Sequence, residues 1–207
     1  GLAPEKCPGF DPVRQCLVAL PQLNLQTCTR QQVLDYFNNN WTLTELLFRG
    51  LKNEEAYIRP PYHQLRHPMI FYYGHPAVLF VNKLRLAGVF KAPINLYLEK
   101  VLETGVDEMS WDDLSKNEMT WPSVIEVKNY RKQVYDLVLN LIQTHPDLGS
   151  PDERPAGGSE NSSPSQTRDT RTSRNLLADS PLWALWMGFE HEKIHFETSS
   201  VLIRELP

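Results

Sequence analysis

Three cysteines in 207 residues, Cys7, Cys16 and Cys28, all fall within the first 28 positions, and none forms a C-x-x-C pair. An odd, one-sided set like this makes neither a disulfide framework nor a zinc-thiolate site, so reduced, incidental cysteines are expected. The chain also lacks any block of Lys or Arg. Its formal charge is −4 and its pI is near 5.9, which argues against nucleic acid as a partner, because such binding rests on phosphate neutralisation. No apolar run approaches the roughly 18 residues needed to cross a bilayer, so no membrane partner is expected. The chain starts on Gly1 without the basic, apolar, small-residue series of a signal peptide. A processed or partial chain in the cytoplasm is the expectation. Period-2 alternation is missing between the helical segments, and no internal repeat stands out.

What is present is helical. Residues 1–28, with Pro4, Pro8, Pro12 and Pro21, read as an extended lead-in. Thr29 and Gln32 have capping-box spacing, and Val33, Leu34, Phe37 and Trp41 follow at helical intervals. A second box, Thr42 to Glu45, predicts a restart rather than one long rod. Consecutive prolines interrupt residues 58–66. A strongly apolar helix is expected from Pro68 to about Ala87, stopped by Gly88 and kinked, or short of one hydrogen bond, at Pro76. A short helix from Pro93 to near Gly105 follows, then a loop. Pro122 opens a long helix carrying Ile125, Val134, Leu137, Val138, Leu141 and Ile142 and ending before Pro146. Residues 147–174 hold only Leu148 and Ala156 as apolar side chains, with five acidic and four basic residues that nearly cancel. Such a stretch buries too little surface to offset its ordering entropy, and a disordered insertion is expected. Ser180-Pro181 then caps a last helix running almost to Pro207. The fold class is therefore all-α: a four-helix bundle over 29–207 with short additional helices and one long disordered loop. Its Trp and Tyr residues are expected in core and interface positions.

Chemistry concentrates at Glu190-His191-Glu192-Lys193-Ile194-His195-Phe196-Glu197. At about 100° per residue, His191 and His195 lie about 40° apart, one turn along the same helical face. Ala184, Gly188, Ser199 and Leu202 share that face, so it reads as packed rather than solvated. Two stacked imidazoles there point to a first-row transition metal. The letters also spell H-E-x-x-H. The extended zinc-protease form, however, needs Gly and His where Thr198 and Val201 stand, and a peptidase needs a sheet edge to align its substrate, so that reading is weak. A third ligand must come from upstream. His63 and His67 flank a proline-rich turn, and His145 ends a helix where a cation suits the dipole. His75 instead sits in the middle of the most apolar helix, where bundle cores build metal sites from facing helices. Glu197 lies about 200° around the helix from His195 and shares a stripe with Glu190, so both acids are assigned supporting roles around the centre rather than ligation. Spacing does not choose between an oxygen-activating non-haem iron and a zinc that activates a thiol or water.

The histidine pattern on a final bundle helix, with an earlier histidine on the second, resembles the DinB-like metal-binding domain. Four stretches are closer still to the N-terminal domain of the ovothiol-forming 5-histidylcysteine sulfoxide synthases: Asp35 to Leu43, Leu65 to His75, Gly105 to Asp113 and Gly188 to Glu192. The Asp-Glu-Met-Ser-Trp-Asp-Asp run within 107–113 is the most specific of them and is shared with the related ergothioneine enzymes. The resemblance covers about residues 30–207 apart from the insertion. It implies Fe(II) held by His75, His191 and His195, with L-cysteine bound as a thiolate, L-histidine nearby and O2 as oxidant, joining sulfur to the imidazole ring as a sulfoxide. A thiolate ligand lowers the iron potential and favours O2 reduction. Pro76 departs from the family pattern and is expected to tilt His75. Family members continue into a formylglycine-generating-enzyme-like domain and often a methyltransferase. The chain is therefore expected to carry only the metal-bearing half of the active site and to turn over poorly alone. The alternatives are a DinB-like thiol transferase or hydrolase using zinc, and a non-catalytic truncated bundle.

Overall fold

Two reciprocal capping boxes start two of the four long helices. Thr29 accepts from the Gln32 backbone amide while the Gln32 side chain accepts from Thr29 N–H, and Ser123 and Glu126 repeat the exchange. In the computed structural model, which describes residues 1–62, 66–103, 120–149 and 176–206, these caps open α1 (Arg30–Arg49) and α5 (Val124–Thr144). Between them lie α2 (Glu55–Ile58), α3 (Met69–Leu86) and α4 (Leu96–Glu103), and α6 (Pro181–Leu202) closes the bundle. Ser180 caps α6 by accepting from Trp183 N–H, with Pro181 in the first turn, where its missing donor costs nothing. The fold is all-α. α3 packs along both α6 and α5, and α1 packs on the other side of the same pair. No described helix is long and apolar enough to cross a membrane.

The expected break in α1 at Thr42 does not occur. Glu45, which would have returned a bond to the Thr42 amide, instead turns inward to Arg131 and Tyr73. The Thr42 hydroxyl accepts from Leu2 N–H. The helix therefore continues, and both threonines are buried. The lead-in is strapped down rather than merely extended. It carries a short antiparallel pair, β1 (Phe10–Asp11) and β2 (Cys16–Leu17), and buried Asn39 on α1 holds its far side. Asn39 donates to the carbonyls of Pro8 and Val18 and accepts from Leu20 N–H. Gly9 permits this contact. At φ +89° its added Cβ would stand 2.5 Å from the Val18 oxygen.

α3 runs unbroken through Pro76. The proline only withholds one donor from the ladder. Gly188 on α6 brings that helix hard against α3, since a Cβ there would lie 2.3 Å from the Phe80 ring. α6 is apolar on most sides, and its inward residues Leu185, Phe189 and Ser199 are fully buried. Ile125, Ile194 and Val201 stand more than half exposed on the outer faces of their helices. Leu148 is buried in a 3₁₀ turn, Pro146–Leu148, so the first residues of the expected loop belong to the core. The remainder, 150–174, together with the 106–113 stretch and His63, lies outside the described residues.

Candidate metal centre

His75 on α3 meets His191 and His195 on α6 across this close packing. The Nε2 atoms of His75 and His191 are 3.2 Å apart, and those of His195 and His191 are 3.1 Å apart. Among the described residues these three form the one His, Cys and carboxylate group able to hold a metal ion. Pro76 does not carry His75 away from the other two.

His75 Nδ1 lies 2.6 Å from the Leu102 carbonyl oxygen. A carbonyl only accepts, so Nδ1 carries the proton and Nε2 presents a lone pair. His191 Nε2 faces both other rings, and as a donor it can satisfy only one of them. As an acceptor it opposes the His75 lone pair. No assignment of protons among neutral rings satisfies both contacts, whereas a cation between the nitrogens meets all three. At metal–nitrogen distances near 2.1 Å, ligand nitrogens at right angles stand about 3.0 Å apart and tetrahedral ones about 3.4 Å apart. The observed spacing falls between these values.

Protonation cannot replace the metal. Burial, followed by the neighbouring His75 ring and Lys83, pushes His191 down to about 3, and burial with the other two rings pushes His195 down to about 2. Both α6 rings are therefore neutral at pH 7, which is the ligating form. Phe71 stacks on His75 at 4.7 Å, and Tyr72 lies 5.9 Å from His195. His67 sits against Phe71 at 4.4 Å and near Trp121, outside the group. His145, the residue that ends α5, accepts from Asp147 N–H and so caps the 3₁₀ turn that follows.

The acids lie elsewhere. Glu190 accepts from Tyr36 on α1 at 2.9 Å, and Lys193 donates to the same tyrosine oxygen. Glu197 is exposed, and its backbone oxygen accepts from Ser200. Glu192, the central acid of H-E-x-x-H, turns to the opposite side of α6 and pairs with Arg131 at 3.3 Å. A zinc-protease glutamate would face the metal, so that reading fails on geometry.

Sequence reasoning missed Arg131. It is fully buried, pairs with Glu45 at 2.8 Å, donates to the Tyr73 carbonyl at 2.7 Å and lies over the Trp41 and Tyr73 rings. One guanidinium thus ties together all four long helices. Burial alone would lower its pKa, but Glu45 and Glu192 raise it above the ordinary value. The signal was available, because Arg131 occupies the apolar stripe of Val127, Val134, Val138 and Leu141.

Three inward imidazoles from two facing helices of an all-α bundle make a group that could hold a metal ion. The chain belongs to the DinB superfamily, whose family model matches residues 36–199. No curated protein matches the chain.

Proposed function

We propose that this domain is the metal-bearing part of an O2-dependent sulfoxide synthase that joins the sulfur of L-cysteine to the imidazole of L-histidine. The observation that carries the metal reading is the convergence of His75, His191 and His195, whose Nε2 atoms meet at 3.2 Å and 3.1 Å. The likeness of residues 35–43, 65–75, 105–113 and 188–192 to ovothiol-forming synthases supports the finer assignment. Fe(II) is the metal proposed, and it would supply a site where thiolate and O2 meet.

The protein's own residues hold the metal without neutralising it, since three uncharged imidazoles leave the full cationic charge to attract a thiolate. His75 keeps its Nδ1 proton on Leu102 and presents only Nε2. The aromatic rings of Phe71 and Tyr72 cover two sides of the histidine cluster and limit access of water there. The overall reaction balances as thiol plus ring C–H plus O2 giving the sulfoxide and one water. Four electrons leave sulfur and carbon, and both oxygen atoms are accounted for. Cys7, Cys16 and Cys28 form no disulfide, which suits a reducing compartment.

Anaerobic reconstitution with Fe(II) tests this reading, comparing the native chain with His75→Ala, His191→Ala and His195→Ala. One iron per chain, lost in each variant while the helical signal persists, is expected. Cysteine, histidine and O2 supplied to the loaded protein should then yield the sulfoxide, at low rate for the domain alone. Iron retained in His75→Ala would overturn the site. Stable zinc with no oxygen chemistry would favour a thiol transferase instead.

A further inference from the structure

The last turn of α4 leaves backbone carbonyls without helical partners, and one of them, that of Leu102, receives the Nδ1 proton of His75. The approach depends on the residue just before the histidine. Gly74 has no side chain, and Leu102 fills the resulting notch completely buried. A Cβ at position 74 would stand 2.6 Å and 3.2 Å from the two Leu102 methyls and 3.0 Å from Val127. Other contacts hold α4 on α3 at this height. Asn82 donates to Glu103 at 2.9 Å, and Arg85 lies 3.8 Å from buried Glu99. Glu99 also accepts from the amides of Ile94 and Asn95, which fixes the entry to α4.

We infer that Gly74 is a positioning residue for the metal centre, seating Leu102 so that its carbonyl locks His75 in the tautomer that presents Nε2. His191 and His195 have no equivalent anchor, because their Nδ1 atoms find no partner among the described residues. The ring on α3 is thus set by packing two helices away from α6, and the α6 pair closes on it. An intrinsic argument would predict the reverse of any damage from alanine here, since Ala favours a helix over Gly by about 1 kcal/mol.

This inference rests on the three-histidine reading for its metal consequence but not for its direct test. The ¹⁵N shifts of His75 in the metal-free protein report its tautomer. The native protein should show Nδ1–H, and Gly74→Ala should show a loss of that form. Zinc affinity should fall about 10- to 100-fold in Gly74→Ala, the range for losing a partner behind a ligating histidine. Leu102→Ala keeps the carbonyl and should retain the tautomer. The double variant Gly74→Ala/Leu102→Ala, which makes room for the added methyl, should recover both tautomer and affinity. A merely structural glycine would change unfolding stability and leave the tautomer at Nδ1–H throughout. That result, or Nε2–H in the native protein, overturns the inference. If no variant and no native sample binds zinc, the metal reading fails while the tautomer comparison still decides the role of Gly74.

Discussion

The bundle holds two polar clusters, one on either side of α6, and they are built on opposite principles. Around Arg131 each charge meets its opposite: one guanidinium lies between Glu45 and Glu192, with a carbonyl and two aromatic faces filling the remainder. Around His75, His191 and His195 like meets like, with ring nitrogens facing one another at 3.1–3.2 Å and no arrangement of protons on neutral rings that satisfies both contacts. The first cluster supplies its own counter-charges, although Glu192 Oε2 finds no hydrogen-bond partner among the described residues. The second holds no opposite charge, and a cation could supply one. Neighbouring residues, Glu192 and His191, serve the two clusters from adjacent positions on one helix. A buried charge is therefore no guide to function by itself: what distinguishes the candidate site is a set of like groups facing one another with no opposite charge among them.

The sharpest way to break this contrast is to remove one member of each cluster. Arg131→Met strands the buried Glu192 and the partly buried Glu45 and should cost about 3–5 kcal/mol, read as a fall in the urea midpoint. A loss under 1 kcal/mol would mean that the network is not the structural half of the pair. Next in size is the effect of metal. At a free concentration a hundredfold above Kd, zinc should stabilise the native chain by about 2.7 kcal/mol. His195→Leu should erase that gain in thermal melts, whereas a gain retained in the variant would place the ion elsewhere.

Acid separates the clusters by sign. The native pKa values of His191 and His195, about 3 and about 2, lie below the unfolded value near 6.5. Below pH 6.5 the unfolded chain takes up protons that the native chain refuses. Stability of the metal-free protein is then fully present above pH 6.5 and falls as pH drops toward 3, by up to about 1.4 kcal/mol per unit for each ring. Burial holds the Glu192 carboxyl above its usual range despite Arg131, and its contribution has the opposite sign, being lost as pH rises. Urea titrations at pH 7 and pH 5 should give a shallower pH dependence for His195→Leu than for the native chain, and equal dependences would count against neutral buried rings. Smallest of all, Ser123→Ala removes a cap distant from both clusters. It should cost about 1 kcal/mol and leave zinc affinity unchanged, providing the control for the larger effects.

Periodicity made the four long helices legible, along with the caps at Thr29 and Ser180 and the stop at Gly88, because these are local patterns in one chain segment. The i, i+4 histidines were legible for the same reason. Long-range pairing was not. The Thr42 box has the spacing of a helix start, yet Glu45 found a stronger partner 86 residues away in Arg131. The partners of Glu190 and Glu192 were likewise fixed by which side of α6 faced α1 and α5, and no spacing within α6 states that. The role of Asn39 in strapping the lead-in emerged only from the tertiary arrangement.

His75 and His191 are separated by 116 positions along the chain. Closing so long a loop carries an entropic toll that the contacts at its ends must recover, and bundles with distant partners assemble more slowly than those built from neighbours. The three nitrogens cannot converge until α6 has docked on α3, so capture of a metal between them would coincide with chain closure. An ion that changes colour on entering the site would time the final docking of the bundle during refolding.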